Sequence, residues 1–233
     1  MKIQGLQRTT LIDYPGKIAC TLFLSGCNFR CSYCHNPELI NIPSKANYSE
    51  SKVLDFLEKR KKYLNGVCIT GGEPLFSLDL NFVRRIKSLG YFVKLDTNGS
   101  FPKRLQEFID NNLVDYIAMD IKSSKEMYEK VVNSKILIDN IEKSIKIISG
   151  FPNYEFRTTI VKRFHSHSDI KKMLEWVETL IGKKIKRYYL QGFKNKGKFI
   201  DSSFTSEPDI SEDFLLELKK ISKNYCEEVG IRV

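Results

Sequence analysis

The stretch that decides the fold is Cys20-Thr21-Leu22-Phe23-Leu24-Ser25-Gly26-Cys27-Asn28-Phe29-Arg30-Cys31-Ser32-Tyr33-Cys34-His35-Asn36-Pro37. Its first part, Cys20 to Leu24, is a short apolar run that predicts a buried strand. Its second part has three cysteines, separated by three residues and then by two. The three thiols therefore follow the strand on one short loop, where they can bind a single metal cluster.

The number of thiols on this cysteine loop suits an iron-sulfur cube with one open iron. Such a cube has four irons and is normally held by four cysteine thiolates. Cys27, Cys31 and Cys34 supply three of them, so the fourth iron stays free to bind a substrate. The other three cysteines are isolated along the chain, and two of them lie in apolar runs where cysteine behaves as a small hydrophobic residue.

A structural zinc site and disulfide bonds are the alternatives for the same loop. Zinc would need Cys27, Cys31, Cys34 and His35 in one tetrahedron, but adjacent residues reach one metal poorly, and no distant second ligand pair is present. Three clustered cysteines cannot all pair locally, and no secretory signal indicates an oxidising compartment. The spacing favours the cluster over both alternatives.

The residues around the cysteine loop resemble a known enzyme superfamily. The Cys-x3-Cys-x2-Cys spacing, with an aromatic residue before the third cysteine, and the segment Gly71-Gly72-Glu73-Pro74 resemble the radical S-adenosylmethionine (SAM) enzymes. Asp13-Tyr14-Pro15-Gly16 and the residues up to Leu39 further resemble the family that activates glycyl-radical enzymes. Within that family, the resemblance is greatest to the activators of anaerobic ribonucleoside-triphosphate reductase. The match spans Leu11 to about Lys122.

This resemblance implies an enzyme with two cofactors, a 4Fe-4S cluster on the three loop cysteines and SAM on the open iron. In such enzymes the reduced cluster passes one electron to the sulfonium, and the resulting 5'-deoxyadenosyl radical removes a hydrogen atom from the substrate. For an activator, the substrate is a glycine of a partner enzyme. Because the cofactors supply the reactive chemistry, no side chain is predicted to act as a catalytic acid, base or nucleophile.

The resemblance also implies which residues hold SAM. Gly71, Gly72 and Glu73 correspond to the segment that holds the methionine amino group, and glycines allow a ligand to approach the backbone closely. Polar residues after the third and fourth predicted strands can supply acceptors and donors at the edges of SAM. The full set of predicted SAM contacts is Tyr33, His35, Asn36, Gly71, Gly72, Glu73, Asp96, Asn98, Asp120 and Lys122.

Ordinary structure is the alternative explanation for several of these positions. A strand-to-helix turn accounts for Gly71 to Pro74, and Asn98-Gly99 is a common turn. Related activators also have a histidine after a late strand that helps to hold SAM, whereas this chain has Leu190-Gln191-Gly192-Phe193 there. His165 and His167 lie in a polar turn and are expected at the surface, not as ligands or bases.

Apolar runs alternate with helical patterns along the chain, which predicts repeated βα units and a parallel sheet. About six units fall short of the eight that close a barrel. The predicted fold is therefore α/β, an open, partial parallel β/α barrel of the radical SAM type. One domain is predicted for residues 1–233, with a core at about 11–191 and a C-terminal extension at 192–233.

The charge of the chain limits the choice of partners. The formal net charge is +10, from 38 Lys and Arg against 28 Asp and Glu. The lysines are spread along helical stretches, which favours a solvated face over a nucleic-acid site. The same charge suits an acidic electron donor of the flavodoxin or ferredoxin type. Phe193 to Asp201, with three lysines, is a candidate partner-facing lip, with a plain solvated loop as the alternative.

The sequence predicts a cytoplasmic chain with no membrane partner. Met1 to Thr10 lacks the apolar core of a signal peptide, and no apolar run is long enough to cross a bilayer. Three alternative functions remain open. They are a radical SAM enzyme that acts on a small molecule or a tRNA base, an activator of a different glycyl-radical enzyme, and a non-catalytic iron-sulfur or zinc-binding interaction module.

Overall fold

The computed structural model describes residues 1–233, in which strands and helices alternate. The strands are β1 Ile3–Thr10, β2 Ala19–Leu24, β3 Gly66–Gly71, β4 Phe92–Thr97, β5 Tyr116–Asp120, β6 Tyr154–Ile160, β7 Ile185–Gly192 and β8 Cys226–Arg232. The helices are α1 Glu50–Arg60, α2 Leu80–Ser88, α3 Pro102–Asp110, α4 Tyr128–Val132, α5 Ile138–Ser149, α6 His167–Ile181 and α7 Glu212–Ser222.

The strands are ordered from β1 to β8 as in the sequence, and the sheet is unclosed. β1 is antiparallel to β2. The pairs β2 with β3, β3 with β4, β6 with β7 and β7 with β8 are parallel. The predicted α/β fold with an open, parallel sheet is therefore confirmed.

The chain divides into two compact units. The first consists of Met1–Asn28, Glu38–Thr97 and Lys103–Ile117, and the second of Phe29–Pro37, Asn98–Pro102 and Ala118–Val233. The division falls within the cysteine loop, so that Cys27 belongs to the first unit and the other two loop cysteines to the second. The single domain expected from the sequence stays a prediction.

In the first unit, apolar side chains on both faces of the central strands form the core. β2 and β3 are almost completely buried, as is usual for parallel strands covered by helices. α2 begins after Asp79, whose carboxylate accepts a hydrogen bond from Phe82 N at 2.8 Å. Phe82, Val83 and Ile86 lie on one face of α2 and are buried, as the helical spacing of the sequence predicts.

In the second unit, the core lies between β6, β7 and their helices. Phe156, Tyr188 and Leu190 are fully buried in the strands. α6 begins at His167, because Ser166 and Asp169 form a capping box at its N-terminus. No helix of the chain has both the length and the hydropathy needed to span a membrane.

Two strands and one short helix were not predicted from the sequence. β1 lies in the polar N-terminal segment, and β8 lies in the predicted C-terminal extension. Each pairs with one neighbour only, β2 or β7, and several of its side chains are exposed. Their polar sequences therefore lack the apolar run by which a buried strand is recognised. α4 has five residues, too few for a helical period.

Candidate active site

In the first unit, backbone hydrogen bonds join the start of the cysteine loop to the Gly71–Glu73 segment. Gly72 N donates to Leu24 O, and Glu73 N donates to Gly26 O, both at 2.8 Å. Gly26 N donates in turn to Leu39 O at 2.8 Å. The two segments that carry the sequence signature are therefore in direct contact at the end of β2 and β3.

The close contact of these segments explains the two glycines. A Cβ atom on Gly71 would lie 2.3 Å from Leu24 O, and one on Gly72 would lie 2.3 Å from Gly26 O. Gly71 also has a φ of +120°, which L side chains rarely adopt. The glycines were expected to allow close approach by a ligand, whereas the structure shows close approach by the protein's own backbone.

Glu73 is fully buried and holds two neighbouring groups through one carboxylate oxygen. Its Oε1 accepts hydrogen bonds from Leu75 N at 3.1 Å and from Thr97 Oγ1 at 2.8 Å. The first bond caps the 3-10 turn at Pro74–Phe76. Thr97, at the end of β4, was not among the predicted site residues, although it lies next to Asp96 and Asn98.

Asp96, a predicted SAM contact on β4, forms a buried ion pair with Lys94. The two residues are two positions apart on the strand, so their side chains point to the same face. Lys94 is 2% exposed. The thiol of Cys68 on β3 lies 3.9 Å from Asp96 Oδ1 and 3.8 Å from Lys94 Nζ. Cys68 is buried as predicted, but among charged groups as well as apolar ones.

In the second unit, Tyr33 lies between the second and third loop cysteines with its ring packed against Phe164 and Phe204, at centroid distances of 6.0 and 6.2 Å. Its hydroxyl is buried and has no hydrogen-bond partner in the protein. Burial raises the pKa of Tyr33, and the positive charge of Lys122 offsets only part of this rise. A buried phenol that lacks a partner loses about 1–3 kcal/mol, so this hydroxyl indicates a polar group supplied from elsewhere.

Asp120 and Lys122, both predicted SAM contacts, form a charged cluster with Arg157 on β6. Arg157 Nε donates to Asp120 Oδ1 at 2.6 Å, and Lys122 Nζ donates to Asp120 Oδ2 at 3.0 Å. Burial would raise the pKa of Asp120, but the two cations outweigh it and hold that pKa well below its usual range. Burial would likewise lower the pKa of Lys122, but the Asp120 carboxylate raises it well above the ordinary value. Each carboxylate oxygen of Asp120 therefore accepts a hydrogen bond from a cation.

The expectation that His165 lies at the surface is wrong, whereas His167 is half exposed, as expected. His165 is 1% exposed. Its Nδ1 accepts from Val161 N at 3.0 Å, so Nε2 carries the proton and donates to Lys122 O at 2.9 Å. Burial lowers the pKa of His165 to about 4. A neutral imidazole thus joins Val161, the residue after β6, to Lys122, two residues after β5.

Asn98 is used in a local turn, the alternative that the sequence left open. Its Oδ1 accepts from Ser100 N at 2.9 Å and from Ser100 Oγ at 2.6 Å. Gly99 follows with a φ of +78°, and a Cβ there would lie 2.1 Å from the Met119 side chain. Ser144 Oγ donates to Gly99 O at 2.6 Å, which fixes the turn to α5. Asn98 therefore shapes the backbone after β4.

His35 contacts the segment that follows β7. Its Nε2 lies 2.8 Å from Lys194 O, and its ring centroid lies 5.2 Å from that of Phe193. This places His35 beside the late-strand position where related activators have a histidine. Asn36, the next residue, is half-buried.

The donors on the cysteine loop match the chemistry of an iron-sulfur cluster. None of the six cysteines forms a disulfide. No group of three or more His, Cys, Asp or Glu side chains is placed to hold a single metal ion. A cluster binds each thiolate at a different iron, so its ligands need not converge on one point. Three thiols on one short loop suit a cluster with one open iron, and the Tyr33 hydroxyl can meet a polar group from outside the protein.

Comparison with known proteins identifies the family. The model of the radical SAM superfamily matches residues 21–177. The chain belongs to the radical SAM superfamily. Enzymes of this superfamily use a 4Fe-4S cluster and SAM, so the predictions of an enzyme and of these two cofactors are confirmed.

Relatives of this radical SAM chain include enzymes that activate glycyl-radical enzymes. A Methanocaldococcus jannaschii protein described as a glycyl-radical enzyme activating enzyme is 33% identical over 99% of this chain and 95% of its own length. The pyruvate formate-lyase-activating enzyme of Listeria monocytogenes is 31% identical over 52% of this chain and 53% of its own. Streptococcus suis SuiB bound to SAM has a TM-score of 0.62 at 15% identity, over 90% of this chain and about half (51%) of SuiB.

Proposed function

We propose that this chain activates a glycyl-radical enzyme by abstracting hydrogen from one of its glycines, and that the partner is an anaerobic ribonucleoside-triphosphate reductase. The observation that carries the proposal is the cysteine loop, joined by backbone hydrogen bonds to Gly71–Glu73, in a chain with a full-length activating relative. The reductase as partner rests on the resemblance of Asp13–Gly16 and the residues up to Leu39 to its activators.

Cys27, Cys31 and Cys34 would each bind one iron of the cluster and leave the fourth iron open. When bound, the cluster and SAM supply a 5'-deoxyadenosyl radical. The protein keeps the loop in a defined shape, since Cys27 N donates to Ile40 O at 3.0 Å and Cys34 N donates to Cys31 O at 2.9 Å. Hydrogen bonds of this kind position ligands before the metal arrives.

The charged groups of the site would orient SAM. Lys122 and Arg157, which both pair with Asp120, are cations of the kind that receive the methionine carboxylate. Glu73 and Asp96 are carboxylates suited to the amino group and the sulfonium. Tyr33, His35, Asn36, Asn98, Gly71 and Gly72 complete the proposed contacts, with the two glycines acting through the backbone. These positions hold the ligand and exclude water, which is the protein's share of the catalysis.

The proposal is tested by transfer of the radical to a candidate partner. The cluster-loaded chain, SAM and dithionite are incubated without air with an anaerobic ribonucleoside-triphosphate reductase from the same source. We expect a glycyl radical in the electron paramagnetic resonance spectrum of the reductase, together with release of 5'-deoxyadenosine. A reductase variant whose radical glycine is changed to alanine serves as the control. Complete SAM cleavage with no glycyl radical in the reductase would rule out that partner.

A further inference from the structure

Phe193 to Glu207, the segment between β7 and α7 that we call the strap, is fastened to the cysteine loop. His35 donates from Nε2 to Lys194 O at 2.8 Å. Asp201 N donates to Ser32 O at 3.2 Å. The strap is therefore tied at two points to the residues that surround the third loop cysteine.

Aromatic packing fixes the inner face of the strap. The rings of Phe193 and Phe199 lie 5.2 and 5.5 Å from that of His35, and Phe204 lies 6.2 Å from Tyr33. Phe193 and Phe204 are at most 1% exposed. Burial of these rings stabilises the contact beyond its hydrogen bonds. The strap thus has a defined inner face on the cysteine loop.

Arg163 holds the far end of the strap. Its guanidinium forms an ion pair with Glu207 at 3.1 Å and donates to Ser203 Oγ at 2.9 Å. It also lies 4.2 Å above the ring of Phe204. With both ends fixed, the outer face of the strap is held at a set position beside the cysteine loop.

The outer face of the strap carries uncompensated positive charge. Lys196 and Lys198 are exposed, and neither forms an ion pair with a carboxylate. Gly197 between them has a φ of +93°, a backbone conformation that favours glycine. Lys194 lies 3.9 Å from Asp209, at the limit of an ion pair. Two lysines beside a site for a redox cluster are therefore free to meet an acidic surface.

We propose that the tip of the strap, Lys196 and Lys198, is the docking surface for an acidic one-electron carrier protein. The inference rests on the proposed function, because only a cluster on the cysteine loop would need this electron. One electron leaves the reduced carrier and enters the cluster, and no covalent bond changes. Complementary charge accelerates such encounters, and electron-transfer complexes use small interfaces. The glycyl-radical enzyme is the alternative occupant, but it must insert a glycine segment into the site and so needs a larger contact surface than these two lysines.

The test replaces both lysines, in the variant Lys196→Glu/Lys198→Glu of the cluster-loaded chain. The matched control is Lys183→Glu/Lys184→Glu, which makes the same charge change at exposed positions just before β7, at the opposite end of that strand. The probe is a fluorescently labelled flavodoxin, and its binding is followed by anisotropy. We expect about tenfold weaker binding for the strap variant at about 0.05 M salt, no change for the control, and loss of the difference at about 0.5 M salt.

Dithionite separates this inference from the proposed function, because a small reductant needs no docking surface. With dithionite, we expect the strap variant to cleave SAM at the wild-type rate, while reduction by flavodoxin is about tenfold slower than in the wild type. Equal flavodoxin binding by the strap variant and the wild type would overturn the docking surface but not the proposed function. The same conclusion would follow if the strap variant also failed to cleave SAM with dithionite. Failure of the wild type to cleave SAM with dithionite would overturn the proposed function.

Discussion

Glu73 N donates a hydrogen bond to Gly26 O at 2.8 Å, so the Gly71–Glu73 segment and the start of the cysteine loop are in direct backbone contact. Gly26 adopts a φ of +99° one residue before Cys27. A shift of the Gly71–Glu73 segment would therefore move the backbone that leads into the first cysteine. The two parts of the sequence signature are therefore coupled through the backbone of the protein itself.

Gly72→Ala should damage this contact. The added Cβ would lie 2.3 Å from Gly26 O and 3.0 Å from Leu39 O, and both are backbone atoms that cannot rotate away. We expect a loss of about 1–3 kcal/mol in the free energy of unfolding and a lower iron content after anaerobic reconstitution. Urea unfolding and iron analysis measure the two effects. Gly150→Ala is the control, since its Cβ would make only an ordinary contact at 3.5 Å. An unchanged iron content in Gly72→Ala would contradict the coupling.

Replacement of any loop cysteine should remove the cluster. Cys27→Ala, Cys31→Ala and Cys34→Ala each take away one of three thiolate ligands, so we expect the anaerobically reconstituted variants to lose their brown colour and most of their iron. Cys226→Ala is the control, because this buried thiol lies on β8 and has no proposed part in the cluster. Visible absorbance and Mössbauer spectra provide the measurement. A loop variant that keeps a full cubane signal would exclude its cysteine as a ligand.

The central strands could be predicted from the sequence because each is a buried apolar run. β3 and β7 lie within two residues of the ranges expected from Val67–Thr70 and Arg187–Gln191. β1 and β8 were missed for a physical reason, since a strand with one neighbour keeps polar, exposed side chains and gives no apolar run. Local sequence patterns therefore predict the interior strands of the sheet but not its edge strands.

The site was predictable only where residues of a motif are close in sequence. Arg157 lies inside a predicted strand and 37 residues from Asp120, so no local pattern links the two side chains. His165 lies in a polar turn, and its burial depends on the carbonyl of Lys122, 43 residues away. Both contacts are produced by the order of the strands. Sequence spacing could indicate the cysteine loop, but not the contacts that Arg157 and His165 make with Asp120 and Lys122.

Lys122→Met should weaken SAM binding while the cluster remains. The substitution removes one of two cations from the Asp120 cluster, and Arg157 still neutralises the carboxylate. Loss of a buried charge contact to a ligand lowers affinity by about thirtyfold or more. Equilibrium dialysis of SAM against the cluster-loaded variant measures the change, with iron content as the check on the cluster. Lys125→Met is the control, because its ion pair with Glu142 is more exposed. Equal affinity in Lys122→Met and the wild type would remove Lys122 from the SAM site.

His165→Gln should change how stability depends on pH. In the folded chain burial lowers the pKa of His165 to about 4, against 6.5 for an ordinary histidine. Between these values the unfolded chain binds a proton that the folded chain does not, so the wild type loses stability as the pH falls through this range. The full effect is about 3 kcal/mol. Glutamine does not titrate, although it can still donate to Lys122 O and accept from Val161 N. We therefore expect the variant to be less stable than the wild type near pH 7 and the difference to shrink towards pH 5, as measured by urea unfolding.

The nearby charges of Lys122 and Asp169 are present in both chains, so the comparison isolates the imidazole. A stability difference that stays constant with pH would show that His165 is not held neutral in the folded chain.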